Sequence, residues 1–371
     1  PGRLNVTDWI PGYGAPPHAK LRVPDWTMRL EHQHVSIAEA LKEAGYKTAH
    51  VGKWHLIPRQ QADLQEYFPE HHGFDINIGG NEWGIPGSYF HPYQKGERRV
   101  YPLPPGGKEG DYLTDRLTDE ALKIIDRWAE EPFFLYFAYY TVHTLIEGKP
   151  EWVEEHEARV NPDAQHTNPV YAAMLHSLDE SVARILEKLK ELGIEDNTII
   201  IMTGDNGGAA GLPWIDGEGA PTNNAPLRAG KGSVYEGGVR VPTLVCWPGV
   251  TSPGSVSSEP VMHIDYYPTI LEMAGVEGNP EHNRSVDGVS LVPILGDPSR
   301  GLGREALFWH YPHYHGGGAT PYGAIRAGDW RLVEFYEDNR VELYHLAEDI
   351  GETNDVAATG SLEHHARRSR P

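Results

Sequence analysis

Two adjacent polar residues, Asp205 and Asn206, stand in the glycine-bounded turn Thr203–Gly208, after the apolar run Thr198–Met202. A carboxylate beside an amide carbonyl suits a hard divalent cation such as calcium. The glycines allow the backbone to turn sharply enough for both side chains to point one way. Asp, Asn and Gly also favour ordinary turns, so the dipeptide by itself also fits a turn without a metal. Calcium takes about six to eight oxygen ligands, so further acidic residues would be needed.

A lysine and a histidine stand two positions apart in Gly52–His55, directly after the predicted strand Tyr46–Val51. Residues two apart on an extended segment face the same side, so we expect Lys53 and His55 to lie together. A cation beside an imidazole suits the binding of an anion and the transfer of a proton. A strand end with a solvated lysine is the alternative interpretation.

Another lysine, Lys231, lies between two glycine-rich turns within Leu227–Pro242. A loop of this kind can present an amine to a ligand. Glu236 and Arg240 are four residues apart, and we expect them to pair and to brace the loop. The alternative is a surface turn with an incidental salt bridge.

Three further histidines are candidates for a site. His143 lies just beyond the apolar run Phe133–Tyr139, although a single histidine also fits a structural imidazole. His310 and His313 belong to the aromatic stretch Phe308–Tyr314, which fits the lining of a sugar or aryl pocket and equally the packing of a subdomain. Aromatic residues of an earlier loop suggest the same kind of pocket: Trp83, Tyr89 and Tyr93.

Helices and strands alternate ahead of these residues. Ser36–Glu39 is a capping-box pattern that predicts a helix start, and Gly45 supplies a left-handed stop. Apolar residues of the longest helix recur at spacings of four, four, three and four, which predicts one buried face. The predicted elements are helix Ser36–Ala44, strand Tyr46–Val51, helix Thr114–Ala129, strand Phe133–Tyr139, helix Pro169–Leu192 and the buried strand Thr198–Met202.

This alternation predicts a mainly parallel sheet sandwiched by helices. Ligands of such sheets bind beyond the carboxyl ends of the strands. The polar residues that follow the predicted strands are Lys53, His55, His143, Asp205 and Asn206. The sequence therefore predicts that three separated segments bring these side chains to one edge of one sheet.

The pattern changes after about Leu295, where short strands alternate with tight turns. We expect an α/β domain over residues 1–295 and a small C-terminal antiparallel-sheet subdomain over residues 296–371. Residues 1–35 and 57–115 are rich in Gly, Pro, Tyr and Trp, which predicts long irregular loops. The last residues, from Ser361, show no helix or strand pattern, and we expect them to form a loose tail.

The composition excludes several classes of protein. Of the 371 residues, 39% are hydrophobic and 23% charged, which is typical of a globular protein. The formal net charge of −21 argues against a nucleic-acid partner, because a phosphate backbone is bound by a basic surface. An anionic substrate stays possible, since a pocket can be locally basic. The single cysteine, Cys246, predicts an apolar strand residue rather than a catalytic thiol. No apolar run is long enough to span a bilayer, so no membrane partner is expected.

The order and content of these motifs together resemble the type I, formylglycine-dependent sulfatases, an arylsulfatase-like family of the alkaline phosphatase superfamily. The similarity covers nearly the whole chain. The segments that carry it are Asn5–Pro11, Gly45–Leu56, Thr203–Gly208, Lys231–Pro242 and Leu343–Asp355.

The resemblance implies an alkaline-phosphatase-like fold and the hydrolysis of sulfate monoesters of aryl alcohols or carbohydrates. In this family, a cysteine or serine in a Cys/Ser-x-Pro-Ser/Thr-Arg motif is oxidised to formylglycine, whose hydrate attacks sulfur. By the resemblance, Lys53 and His55 hold and deprotonate that hydrate. His143 and Lys231 bind the sulfate and protonate the leaving oxygen. Cations and an acid near that oxygen stabilise the charge that develops on it.

The resemblance also implies one calcium ion, with Asp205 and Asn206 as ligands. The nucleophile motif and the paired N-terminal aspartates that complete this site in the family do not occur in the sequence. We therefore expect an N-terminally truncated sequence that binds calcium poorly and does not turn over, with formylglycine in a preceding segment. Smaller departures are Ile57 in place of a usual Gly, and Leu145 where Pro usually follows His-Thr. No leader is visible, and the family favours a periplasmic or secreted location.

Two other functions stay open. A phosphatase or phosphonate monoester hydrolase of the same superfamily would share the fold and the metal turn. The lysine loop after that turn, in place of further His and Asp ligands, favours sulfate. A carbohydrate-binding relative without catalysis is the second alternative, and the residue at the nucleophile position would distinguish it.

Overall fold

The computed structural model describes residues 19–25, 28–57, 64–210, 220–314 and 319–359. The family-like segment Asn5–Pro11 and the predicted tail from Ser361 lie outside the described residues. The chain divides into two compact units. The first holds the described residues of Trp26–Ile200 and Val245–Leu302. The second holds those of Trp9–Asp25, Ile201–Leu244 and Gly303–Pro371. The predicted boundary between residues 295 and 296 stays a prediction.

Helices and strands alternate through the first part of the chain, as predicted. The helices of the described residues are α1 (Ile37–Glu43), α2 (Leu113–Arg127), α3 (Pro150–Glu157), α4 (Pro169–Glu191), α5 (Glu236–Val239), α6 (Tyr266–Ala274), α7 (Pro280–Asn283) and α8 (Val292–Gly296). The strands are β1 (Lys47–Gly52), β2 (Ile76–Ile78), β3 (Gln94–Lys95), β4 (Arg98–Arg99), β5 (Phe133–Ala138), β6 (Ile200–Thr203), β7 (Thr243–Cys246), β8 (Leu307–Tyr311), β9 (Tyr322–Ala327), β10 (Trp330–Phe335) and β11 (Arg340–His345).

The first unit contains a parallel sheet in the order β2-β1-β5. The capping box predicted before α1 is present: Ser36 accepts from Glu39 N, and the Glu39 carboxylate accepts from Ser36 N at 2.7 Å. Gly45 has a φ of +93° and ends this helix. The helix therefore begins and ends where its local sequence predicts.

Two helices pack on the apolar side chains of this sheet. Val51 of β1, Leu117 of α2 and Met174 of α4 are fully buried in one cluster. The predicted apolar periodicity of α4 thus places Met174 in the core, as expected. Across the described residues, no helix is long and apolar enough to span a bilayer.

The second unit contains the predicted small antiparallel sheet, in the order β11-β10-β9-β8. Consecutive strands pair as neighbours, and short turns join β9 to β10 and β10 to β11. One face of the sheet forms a core around Val333, Phe335 and Tyr322. Val234, from the predicted lysine loop, packs into the same core. The loop and the C-terminal strands therefore form one packed body.

The predictions for β6 are partly wrong. The structure pairs β6 with β7 in a two-stranded sheet, separate from the sheet of β1 and β5. Alternation of helix and strand predicts parallel strands, but it does not determine which strands become neighbours. The strand is also less buried than its apolar sequence predicts, with Met202 38% exposed. Cys246, at the end of β7, is exposed as well.

Candidate active site

Lys53 directly follows β1, at the end of its pairing with β5. Its backbone N–H donates to Ala138 O, at the end of β5, at 2.7 Å. The preceding residue, Gly52, has a φ of +103°, and a Cβ there would lie 1.9 Å from the same oxygen. Only glycine fits that contact, so β1 ends at this point and the chain turns into the segment that carries Lys53.

His55 is held in an unusual backbone conformation. Its φ is +54°, in the left-handed region that non-glycine residues rarely adopt. Its N–H donates to Asn81 O at 3.0 Å, and a Cβ on Gly84 would lie 2.3 Å from the His55 ring. The prediction that Lys53 and His55 alternate on an extended segment is wrong, because the strand has already ended at Gly52. Such strain is often found at functional sites.

His143 lies on the loop that follows β5. Its Nδ1 is 3.0 Å from Thr144 O. A carbonyl oxygen can only accept, so Nδ1 is the donor in this contact, and Nε2 is the ring nitrogen through which His143 would exchange a proton with a ligand. Lys53, after β1, and His143, after β5, thus follow the carboxyl ends of neighbouring parallel strands, as the sequence predicts. Asp205 and Asn206 follow β6, which belongs to another sheet, so the prediction that all three segments meet at one edge of one sheet is wrong.

A buried tyrosine, which sequence reasoning assigned to a pocket, supports the His143 loop. Tyr89 is completely buried, and its hydroxyl lies 2.6 Å from Tyr140 O and 2.9 Å from His143 O. Burial also raises the pKa of Tyr89 well above its usual range, so the hydroxyl stays a donor. Tyr93 is 2% exposed and belongs to the same core. The prediction that Tyr89 and Tyr93 line a pocket is therefore wrong. Trp83 is half-buried, so its place in a pocket stays a prediction.

The second unit carries the predicted metal turn. Asn206 N donates to Asp205 Oδ1 at 2.9 Å, and Asn206 Nδ2 donates to Gly207 O at 2.9 Å. Because the amide nitrogen makes this bond, the amide oxygen is the atom suited to a cation. Asp205 is exposed, so its carboxylate is accessible to a ligand. These residues offer two hard oxygen ligands of the type that calcium prefers.

The lysine loop interlocks with this turn through glycines. Lys231 N donates to Gly208 O at 3.0 Å, and Gly207 N donates to Gly238 O at 3.1 Å. A Cβ on Gly207 would lie 1.7 Å from Gly237 O. Because these positions carry no side chains, two backbone segments about 30 residues apart in the sequence can meet here. This contact brings Lys231 beside Asp205.

The environment of Lys231 changes its acidity. Burial lowers the pKa of its amine, and the negative charge of Asp205 partly opposes this shift. A lysine with a lowered pKa gives up its proton more readily near neutral pH. Lys231 is thus suited both to hold an anion and to donate a proton.

The lysine loop has buried ionic support that sequence reasoning missed. The predicted Glu236–Arg240 pair is present at 3.4 Å, but the Arg240 side chain is 52% exposed. The main partner of Glu236 is Arg331 of β10, whose side chain is completely buried. Glu352, also completely buried, accepts from Glu236 N at 2.7 Å. No local pattern indicates a partner 95 or 116 residues away.

The two C-terminal candidate histidines have different environments. His310 is exposed on β8, with Nδ1 3.1 Å from the Tyr336 hydroxyl. His313 is 3% exposed and packs edge-on against Tyr311. Burial and the nearby His310 lower the pKa of His313. Their role in substrate binding stays a prediction.

The described residues contain no group of three or more His, Cys, Asp or Glu side chains arranged to hold a metal ion. The first unit holds Lys53, His55 and His143, and the second holds Asp205, Asn206 and Lys231. Each set combines a lysine with groups that bind anions, move protons or ligate cations.

Comparison with known proteins identifies the family. A family model described as Sulfatase matches residues 14–276, and one described as N-sulphoglucosamine sulphohydrolase, C-terminal, matches residues 230–368. The parallel sheet with its helices and the small antiparallel sheet correspond to the alkaline-phosphatase-like fold of solved sulfatases. The chain belongs to the sulfatase family.

Individual relatives are similar over most of this chain. A sulfatase of Formosa agariphila is 34% identical over 382 residues, which cover 89% of this chain and 66% of the relative. Human N-acetylgalactosamine-6-sulfatase is 34% identical over 277 residues, covering 70% of this chain and 48% of the relative. The crystal structure of Ps i-CgsB in complex with k-i-k-neocarrahexaose has 28% identity and a TM-score of 0.71, covering 93% of this chain and 75% of that one.

The chain thus spans between 48% and 66% of the length of the two named sequence relatives. Members of the sulfatase family in general use a metal and formylglycine. The activity and substrate of the whole protein are therefore taken up as proposals.

Proposed function

We propose that the protein hydrolyses sulfate monoesters of carbohydrates. The observation that carries this proposal is the interlocked pair of loops in which Lys231 lies beside the Asp205 turn, within a chain of the sulfatase family. An amine and an oxygen-ligand turn at one place suit a tetrahedral oxyanion together with a divalent cation.

In this proposal, Lys53 and His55 hold the nucleophile and take its proton. Formylglycine, the nucleophile that the family uses, would supply an oxygen that attacks sulfur. Lys53 carries the positive charge that stabilises this oxygen as an anion. The fixed left-handed backbone at His55 orients the imidazole, so that little reorganisation is needed in the transition state.

His143 and Lys231 act on the leaving group. Charge develops on the bridging oxygen as the carbohydrate departs, and a nearby acid neutralises it. Nδ1 of His143 faces Thr144 O, so a proton on Nε2 is the one that His143 can give. Lys231 pairs with the sulfate and has a pKa lowered by burial, which makes it a second donor.

Calcium is the proposed metal. Asp205 and Asn206 would provide two of its oxygen ligands, and the remaining ligands would come from other groups. When bound, the ion would draw electron density from the sulfate oxygens. Hard oxygen ligands on a glycine-bounded turn support calcium rather than a thiolate-binding metal.

A carbohydrate sulfate is the proposed substrate class. One relative is named N-acetylgalactosamine-6-sulfatase, and a similar structure is named as a complex with a neocarrahexaose. The half-buried Trp83 and the exposed His310 are candidates for sugar contacts, since aromatic and imidazole rings pack against sugars. Location in the periplasm or outside the cell stays a prediction.

The test is turnover by the full-length protein on a panel of sulfated sugars and one chromogenic aryl sulfate. We expect hydrolysis of at least one sulfated sugar. We expect Lys231→Ala to lower kcat/KM by about 100-fold or more, because one charge-stabilising donor at a reacting oxyanion is worth that much. Lys188→Ala is the matched control, since Lys188 pairs with Glu191 on α4 and takes no part in the site.

Four outcomes would contradict the proposal. Inertness towards the whole panel would remove the sulfatase activity, and unchanged turnover by Lys231→Ala would remove Lys231 from the mechanism. Two transition-metal ions at full occupancy would favour a phosphatase or phosphonate monoester hydrolase instead. Tight binding of sulfated sugars without hydrolysis would favour a carbohydrate-binding relative.

A further inference from the structure

The strongest unexplained feature of the second unit is a fully buried arginine. Arg331, the second residue of β10, has a side-chain exposure of 0%. Burying a guanidinium without partners is very costly, so its partners reveal what it is for. Those partners come from the lysine loop and from a turn near the C-terminal end of the described chain.

Each nitrogen of the Arg331 guanidinium faces a different group. Nη1 contacts a Glu236 carboxylate oxygen, and Nη2 contacts Val234 O. Nε lies 3.4 Å from the Glu352 carboxylate. Val234 and Glu236 are three and five residues beyond Lys231 on the same loop. The guanidinium of arginine presents its donors in a rigid planar fork, whereas the ammonium of lysine is a compact point charge on a flexible stem.

Glu352 completes the arrangement from the other side. Its Oε2 accepts from Glu236 N at 2.7 Å. Its backbone carbonyl accepts from the Arg228 guanidinium at 2.9 Å, and Gly237 N donates to Arg228 O at 2.9 Å. Both ends of the lysine loop are therefore tied to the same C-terminal turn. We call Arg331, Glu236 and Glu352 the buried clamp.

The clamp acts on the candidate site through the glycine contacts already described. Gly237 and Gly238 directly follow Glu236, and they are the residues against which Gly207 of the metal turn packs. A displacement of Glu236 would thus move the backbone that supports Lys231 and Asp205. A displacement of about 1 Å can decide whether a catalytic group is productively placed.

We propose that Arg331 and Glu352 are positioning residues, which hold the lysine loop so that Lys231 is presented to a sulfate group. This inference rests on the proposed role of Lys231. It gives the C-terminal antiparallel sheet a function in the reaction, although its side chains do not touch the reacting atoms.

The substitutions are Arg331→Met and Glu352→Gln. Methionine removes the fork, which leaves Glu352 buried without the Arg331 guanidinium and Glu236 with only Arg240 and Arg326 among the described residues, at 3.4 and 3.7 Å. Loss of this partner destabilises the loop. Glutamine is the milder change. It offers one acceptor oxygen where the carboxylate offers two, although both of its neighbours, Glu236 N–H and Arg331 Nε–H, are donors.

The first readout is the accessibility of the Lys231 amine, measured at one fixed pH as its rate of labelling by an amine-reactive reagent and quantified by mass spectrometry. We expect both variants to raise this rate, because a released loop exposes Lys231 to water. We also expect kcat/KM on the best sulfated sugar to fall by about tenfold or more. Substitution of a residue that only adds stability would lower the melting temperature without changing the labelling rate of Lys231.

Arg116→Met is the matched control, because Arg116 forms a buried ion pair with Glu120 on α2, in the first unit. It should lower the melting temperature and leave Lys231 labelling and turnover within twofold of wild type. Wild-type labelling of Lys231 in both clamp variants would overturn the inference. If Arg331→Met does not fold, Glu352→Gln decides the question. Labelling needs no turnover, so an inert wild-type protein would refute the proposed function and still leave the clamp tested.

Discussion

The completely buried His50 of β1 predicts a specific loss of stability in acid. Its Nε2 lies 3.2 Å from Lys53 O, directly beside the candidate site. Burial, partly opposed by hydrogen bonds to Lys53 and Asn77, lowers the pKa of His50 from 6.5 to about 3. The folded protein therefore keeps this ring neutral at pH values where the unfolded chain would protonate it.

The sign and size of the effect follow from this shift. Between pH 6.5 and about 3 the unfolded state binds more protons at this position, so the free energy of unfolding falls as the pH falls. Each pKa unit is worth about 1.4 kcal/mol. The contribution of His50 is therefore a loss of about 2 kcal/mol between pH 7 and pH 5, and of up to about 5 kcal/mol below pH 3.

The measurement is urea unfolding of wild type and His50→Gln at pH 7 and pH 5. Glutamine keeps an N–H donor for Lys53 O but does not titrate. We expect the variant to lose about 2 kcal/mol less than wild type on acidification, since contributions from all other groups cancel in the comparison. Equal losses in wild type and His50→Gln would refute the reasoning.

Two further substitutions test the elements that position the first-unit residues. Gly52→Ala places a Cβ 1.9 Å from Ala138 O, so urea unfolding should show a loss of more than about 2 kcal/mol in the free energy of unfolding. The control is Gly96→Ala, at an exposed position with nothing within 4 Å of the added Cβ, which should lose about 1 kcal/mol. Equal losses would show that the strands separate to accommodate the methyl group. Tyr89→Phe removes a hydroxyl that contacts two carbonyls of the loop after β5. The substitution should lower the free energy of unfolding by about 1–3 kcal/mol and lower turnover. The control is Tyr93→Phe, because the buried Tyr93 hydroxyl has no hydrogen-bond partner among the described residues and should tolerate the change. Equal effects of the two substitutions would argue against the loop-bracing role of Tyr89.

Local elements could be predicted because their causes lie within a few residues. The capping box of Ser36 and Glu39 joins residues three apart. The apolar spacing of α4 reflects one helical face, and Gly45 and Gly193 end their helices with positive φ values. Such features depend on short-range sterics and hydrogen bonds, so they can be derived from sequence windows.

The candidate residues could also be chosen from the sequence, since the type of each residue indicates which chemistry its side chain can perform. The sequence shows glycines in both the Asp205 turn and the Lys231 loop, but it does not predict that the two backbones meet there. The alternation argument for Lys53 and His55 failed because Gly52 ends the strand with a positive φ. A strand pattern predicts alternation only as far as the strand continues.

The sequence by itself determined the helices α1, α2 and α4, the strands β1 and β5, their glycine stops and the antiparallel character of the C-terminal sheet, and it supplied the candidate site residues, whose roles stay predictions. Tertiary structure alone decided that Tyr89 and Tyr93 are buried, that β6 pairs with β7, and that Arg331 joins Glu236 and Glu352. The physical reason is separation along the chain. A partner about 100 residues away leaves no periodic trace in a sequence window, and burial of a charge is settled only when the whole chain has closed around it.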